Sequence, residues 1–176
     1  MRRESWVTVP NALSLSRLLL AAAFPVVSAP SRRLALVALA SASDWLDGWL
    51  ARRGGIASRG GAILDPVTDR AFVLAAVSTF LFEGALTSGQ YFVLLARDIM
   101  TAVGFLVARS VTWLRPVEFK ARLLGKLVTT LQLGVLFALL LRPDLVAVLI
   151  FAVGIVSAAA IADYTLALWR ARARTA

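Results

Sequence analysis

No histidine and no cysteine occurs among the 176 residues. The first absence removes the commonest general base and the usual zinc ligand; the second removes disulfides and thiolate metal sites. Acid–base chemistry therefore falls to carboxylates, lysine or tyrosine, and the chain has only two tyrosines. Acidic residues are scarce as well, ten against nineteen Lys and Arg. What the chain does have is apolar bulk. Hydrophobic residues make up 60% of it and the mean hydropathy is +0.81, which does not describe an ordinary soluble domain. Apolar stretches of about twenty residues, the length that crosses a bilayer, recur throughout. The net charge of +9 does not signal nucleic acid, because the arginines are spread over loops between apolar spans. That pattern suits anionic lipid headgroups and the positive-inside rule.

These features predict an all-α integral membrane protein, a single membrane domain over residues 1–176 with six transmembrane helices. The spans fall at about 11–29, 34–53, 66–82, 91–111, 123–141 and 145–169. Residues 1–10 form an interfacial segment with Arg2, Arg3 and Trp6, and residues 170–176 a basic tail. The basic start, apolar run and Ser28-Ala29 imitate a signal peptide, but Arg17 interrupts the apolar region. An even number of spans puts both termini on one side. With that side cytoplasmic, the inner segments hold Arg2, Arg3, Arg52, Arg53, Arg59, Arg109, Arg115, Lys120, Arg122, Lys126, Arg170, Arg172 and Arg174. The outer turns hold only Arg32, Arg33 and Arg142, so cytoplasmic N- and C-termini are expected.

Residues 44–69, DWLDGWLARRGGIASRGGAILDPVTD, contain four of the ten acidic residues. Asp44 and Asp47 are three apart and Asp65 and Asp69 four apart, so each pair shares one face of a helix. Gly54, Gly55, Gly60 and Gly61 lie between the pairs and let one helix end and the next return. Acidic residues flanked by apolar spans cost about 2.5–3.5 kcal/mol on insertion scales and mark functional sites by default. Four together repel unless cations lie between them. All-oxygen ligation points to Mg²⁺ or Mn²⁺, and a shared four-carboxylate site suits two ions handling phosphates. Plainer readings exist for each part. Asp44 and Asp47 would also serve as caps or pair with Arg52 and Arg53, and the glycines as a plain turn. Asp65-Pro66 looks like a helix start with proline at the first position, a role that coexists with metal binding. A cation channel would present an acidic cluster too, but an ion path has no need of Gly48, Ala51, Arg52 and Gly61.

Asp44, Asp47, Gly48, Ala51, Arg52, Gly61, Asp65 and Asp69 match, at every position and spacing, the signature of the CDP-alcohol phosphotransferases, and the stretch is identified as resembling that family. The opening VPNALSLSRLLL is similar to the family's first helix, where a Pro-Asn pair and a later Arg recur. The resemblance implies transfer of a phosphoryl-linked group from a CDP-activated donor to an alcohol with release of CMP. It implies that Asp44, Asp47, Asp65 and Asp69 hold two divalent ions and that Asp69 is the catalytic base for the acceptor hydroxyl, with a purely metal-binding Asp69 left open. It places Asn11, Arg17, Gly48, Ala51, Arg52 and Gly61 at the nucleotide. Asn11 has an equal claim to be a helix cap.

The acceptor side rests on Arg97 and Asp98, charged residues inside the fourth apolar run, and on Lys120, Arg122 and Lys126 near the start of the fifth. Charges within a span should face a polar interior and pair with each other or with a phosphate. For Lys120 and Arg122 positive-inside anchoring serves equally well. GKLVTTLQ resembles the Gly-Lys-x-Lys-Thr motif of phosphatidylglycerophosphate synthases, with Val128 where the second Lys belongs. Arg97-Asp98 is similar to the Arg-Asp of cardiolipin synthases rather than to the Arg-Glu of the former. The expected activity is phosphatidyl transfer from CDP-diacylglycerol to a glycerol-based acceptor, first glycerol 3-phosphate and alternatively phosphatidylglycerol. The expected partners are the bilayer and a second copy of the chain, with Gly104 and Gly154 as small residues permitting close helix contact; no nucleic acid is expected.

Overall fold

The computed structural model describes residues 9–54, 61–110 and 123–172, with the side chains of 15–46, 68, 70–104, 123–166 and 169. Among these residues there is no strand, and six α-helices follow one another. They are α1 (Val9–Ala23), α2 (Pro30–Gly54), α3 (Gly61–Phe82), α4 (Ser88–Ser110), α5 (Leu123–Leu141) and α6 (Val146–Arg172), with a 3-10 turn at Pro143–Leu145.

Prolines and one glycine set several ends. The first helix stops at Ala23, six residues short of the expected end, because Pro25 cannot donate and disfavours helical backbone before it. The amides of Val26 and Val27 both turn back to the Ala23 carbonyl, each at 3.1 Å. Pro30 opens α2 at its first position, where a missing N–H costs nothing, and the Arg33 amide closes the first turn on the Ala29 carbonyl at 3.0 Å. This start lies four residues before the expected one and takes Arg32 and Arg33 into the helix. Asp65-Pro66 is not a helix start: α3 begins at Gly61, which puts Pro66 inside it, and proline leaves the Ala62 carbonyl without its i+4 donor. At the far end of α3, Gly84 takes φ +75°. The Ala85 amide reaches the Phe80 carbonyl at 2.9 Å and that of Gly84 reaches Leu81 at 3.0 Å, the paired bonds of a Schellman cap. The chain then enters α4 through a capping box. The Thr87 amide donates to Gln90 Oε1 at 2.9 Å, and the Gln90 amide to Thr87 Oγ1 at 3.3 Å.

The chain divides into two compact units. In the first, Met1–Leu86 with Leu139–Leu141, α1 packs on both α2 and α3. The buried positions of α1 are Arg17, Ala21 and Phe24, those of α2 Arg33, Val37, Ala40 and Ser43, and α3 adds Phe72, Ala76, Val77 and Phe80. Apart from the adjacent Ala76 and Val77, their spacing of three and four is that of single helix faces. Phe24 meets Phe72 and Phe80 edge-on, with centroids 5.9 and 5.7 Å apart. In the second unit, Thr87–Ala138 with Arg142–Ala176, α6 packs on α4, and its buried positions are Val146, Ile150, Val153, Ser157 and Ala160. Gly154 admits Val93 Cγ1, which would lie 3.2 Å from a Cβ there, so its smallness is used within the chain; Gly104 faces open space.

Two stretches, Leu123–Leu141 and Pro143–Leu166, are long and apolar enough to cross a membrane, and only 33% and 28% of the respective windows are buried. A soluble core helix would hide most of such a surface, whereas Val148, Phe151 and Ile155 of α6 stay exposed. Both are features of helices solvated by lipid.

Candidate functional site

The backbone carries the four aspartates on consecutive helices of the first unit, Asp44 and Asp47 on α2 and Asp65 and Asp69 on α3. Gly48, Ala51 and Arg52 follow on the last turns of α2, and Gly61 is the first residue of α3. Asn11 lies near the start of α1. The side chains of Asn11, Asp47, Ala51, Arg52, Asp65 and Asp69 are outside the described residues, as are Lys120 and Arg122 altogether. Among the described residues, accordingly, no three acidic side chains gather as a metal site.

Asp44 is described. Its side chain is 49% exposed and its Oδ1 accepts from Arg17 Nη1 at 3.4 Å, while the Arg17 side chain is 2% exposed. Arg17 thus reaches from α1 to the carboxylate that begins the signature. A pairing of Asp44 with Arg52 or Arg53 would stay within one helix; nothing local in the sequence signals this contact 27 residues away.

The second unit contains another polar group. Arg97 Nη1 donates to Asp98 Oδ1 at 3.0 Å. Asp98 Oδ2 accepts from Gln132 Nε2 at 2.8 Å, and the same amide nitrogen donates to the Leu94 carbonyl at 2.7 Å. Arg97 and Gln132 are buried, and Arg97 Nε has no hydrogen-bond partner among the described residues. Gly125 of α5 lies against this guanidinium: a Cβ there would collide with Arg97 Nη2 and stand 3.3 Å from Cζ and 3.6 Å from the Tyr164 hydroxyl. Lys126 is exposed. Val128 is fully buried, so the position of the motif's second lysine is an apolar core position here. Gln132 was legible only as a polar residue in an apolar helix; its partners on α4 were not.

A third cluster was missed. Arg33, buried at the start of α2, donates through Nη1 to Glu83 Oε2 at 2.6 Å, through Nη2 to Oε1, and through Nε to the Val27 carbonyl. Its Cζ lies 5.4 and 5.6 Å from the Phe24 and Phe80 centroids, within cation–π range. The hydrogen bonds from Arg33 hold the Glu83 carboxyl below its ordinary range, against the opposing pull of partial burial. This cluster ties the ends of α1, α2 and α3 together.

All regular structure among the described residues is helical, with two helices of bilayer-crossing length and apolarity, the features of a membrane protein. Comparison makes the assignment specific: the family profile of the CDP-alcohol phosphatidyltransferases matches residues 7–164, and the chain belongs to that family. It is a transferase, and the channel alternative falls. The CDP-diacylglycerol–glycerol-3-phosphate 3-phosphatidyltransferase of Yersinia enterocolitica is 31% identical over 150 residues, covering 80% of this chain and 77% of the relative. That of Yersinia pestis (strain Pestoides F) is 32% identical over 144 residues with the same coverage. That of Pectobacterium atrosepticum is 33% identical over 146 residues, 77% of this chain and 78% of the relative. The family is in general dependent on divalent metal.

Proposed function

We propose that the protein transfers the phosphatidyl group of CDP-diacylglycerol to glycerol 3-phosphate and releases CMP. The observation that carries this is the complete eight-position signature, Asp44 to Asp69, laid along the end of α2 and the first turns of α3, in a chain whose relatives bear that activity in their names. The acceptor hydroxyl oxygen attacks the phosphorus that bears the diacylglycerol; a new P–O bond forms, the P–O bond to CMP breaks, and the hydroxyl proton passes to Asp69.

Asp44, Asp47, Asp65 and Asp69 would hold two ions, Mg²⁺ or Mn²⁺. Four hard oxygen donors suit such ions, and the described member fits, since Asp44 is half-exposed and only loosely held by Arg17 at 3.4 Å. The ions supply charge neutralisation for the pyrophosphate and the departing CMP. Gly48, Ala51 and Gly61 leave room for the nucleotide, and Asn11, Arg17 and Arg52 contact it. Arg97, Lys126, Lys120 and Arg122 take the acceptor's phosphate. Arg97 is the best supported of these, because its Nε is buried with no partner among the described residues, a costly state that an anion would relieve. Asp98 orients Arg97. All six helices span the bilayer, both termini and the aspartates face the cytoplasm, and the protein works as a homodimer.

A second reading, with phosphatidylglycerol as acceptor, is favoured by the burial of Val128, which leaves no second cation on that turn of α5. The deciding experiment measures CMP release from CDP-diacylglycerol by purified protein with Mg²⁺ or Mn²⁺, offering each acceptor separately. Release with glycerol 3-phosphate that stops in EDTA and returns with metal supports the first reading. Release only with phosphatidylglycerol replaces it with the second, and release with neither sinks both.

A further inference from the structure

We propose that Gln132 and Gly125 are positioning residues for Arg97, and that they set the affinity for the acceptor's phosphate without touching it; this rests on the acceptor role given to Arg97 above. Arg97 and Asp98 are adjacent on α4, and neighbours one apart on a helix do not face each other. Their pairing therefore needs support from another element. Gln132 of α5 provides it on one side. Its amide meets two acceptors, Asp98 Oδ2 at 2.8 Å and the Leu94 carbonyl at 2.7 Å. Both partners are acceptors, so the NH₂ must face them, and the orientation of the amide is fixed by chemistry. With Oδ2 so engaged, Oδ1 is turned to Arg97 Nη1 at 3.0 Å.

Gly125 acts on the other side. The space where its Cβ would stand holds Arg97 Nη2, and Cζ passes 3.3 Å from that point. The guanidinium thus rests across the α5 backbone, confined by Asp98 on one edge and by the glycine notch on the other. A flexible arginine end normally gives way to an added methyl. Here the same guanidinium is bonded through Nη1 to Asp98 Oδ1 at 3.0 Å, so a retreat of Nη2 is felt at that bond. A buried glutamine in an apolar helix is costly unless its donors are used, and at 2% exposure Gln132 spends them on this carboxylate and the carbonyl beside it.

The test uses the full-length purified enzyme and compares Gln132→Leu, Gly125→Ala, Arg97→Lys and the double variant Gly125→Ala/Arg97→Lys. Gln132→Leu and Gly125→Ala are each expected to raise KM for glycerol 3-phosphate about tenfold, the worth of one charge-assisted hydrogen bond, with KM for CDP-diacylglycerol unchanged. Arg97→Lys should raise the same KM, and adding Gly125→Ala should raise it no further, because the shorter lysine head does not fill the notch. Additive effects in that cycle, or equal changes in both KM values, would mean that Gly125 and Gln132 only hold helices together, and would overturn the inference alone. Should Gln132→Leu fail to fold, the Gly125–Arg97 cycle decides by itself. A wild-type enzyme that releases no CMP with glycerol 3-phosphate sinks the acceptor reading and this inference with it.

Discussion

Arg17, Arg33 and Arg97 are 1%, 5% and 7% exposed, and each is met by a carboxylate, Asp44, Glu83 and Asp98 respectively. A buried guanidinium cannot shed its charge, so in an apolar bundle it persists only where an acidic partner is brought to it. Ten acidic residues leave few candidates, yet only the adjacent Arg97-Asp98 pair was legible in the sequence. The other two partners are 27 and 50 positions away, and nothing local signals them. The Arg17–Asp44 pair separates two roles of one aspartate. Asp44→Asn keeps an oxygen for Arg17, and because the carboxylate is half-exposed the stability lost should be no more than about 1 kcal/mol. CMP release should nevertheless fall by about a hundredfold or more, as when an electrostatic group is taken from a transition-state site. Thermal unfolding measured beside turnover checks both; a parallel collapse of the two would make Asp44 a structural residue.

At the scale of elements, the three-helix tie around Arg33 yields a pH dependence with a definite sign. The Arg33 hydrogen bonds depress the Glu83 pKa from its ordinary value of 4.5. A depressed carboxyl contributes its stability in full above the unfolded value and loses it as pH falls through the lower folded one. Glu83→Gln should therefore lower stability by about 1 kcal/mol at pH 7, discounted because Glu83 is partly exposed. The gap between variant and wild type should close as pH drops below the ordinary carboxylate range, which unfolding midpoints of both proteins across pH 3–7 would check (roughly the window of carboxylate titration). One residue on, Gly84 at φ +75° has nothing within reach of a new Cβ, so Gly84→Ala acts through backbone strain alone. A loss of about 1–2 kcal/mol is expected, and no loss would mean that the turn relaxes. The helices themselves were largely legible, α5 to the residue. The ends missed around α1, α2 and α3 involve prolines whose three roles look alike in sequence: Pro30 opens a helix, Pro25 stops one, and Pro66 lies within one.

For the whole molecule, α5 and the stretch Pro143–Leu166 are, among the described residues, long and apolar enough to cross a membrane; α1 falls short by length, at 15 residues, and α2, α3 and α4 carry charge. Asp44 and Asp47 sit on α2, Asp65 and Asp69 on α3, and Arg97 and Asp98 on α4, and each charge lowers the apolar signal by which a span is recognised. The composition conveyed a membrane domain, and the signature conveyed the family, whereas the pairing of charges within each unit had to come from packing. The orientation proposed here rests on where the sequence places its basic residues. Of the three outer arginines, Arg33 is buried on Glu83, and Arg142 is held by both oxygens of Asp144 at 3.1 Å. The inner segments keep most of the basic residues. Since the chain has no cysteine, single substitutions can report on this directly. Thr87→Cys and Asp144→Cys, in the turns before α4 and α6, should react with a membrane-impermeant maleimide in intact spheroplasts. Ser58→Cys and Thr175→Cys should react only after permeabilisation. The reverse pattern would turn the protein over and put its aspartates on the far side from a cytoplasmic donor. Labelling of Thr87→Cys and Ser58→Cys from one side would mean that α3 does not cross.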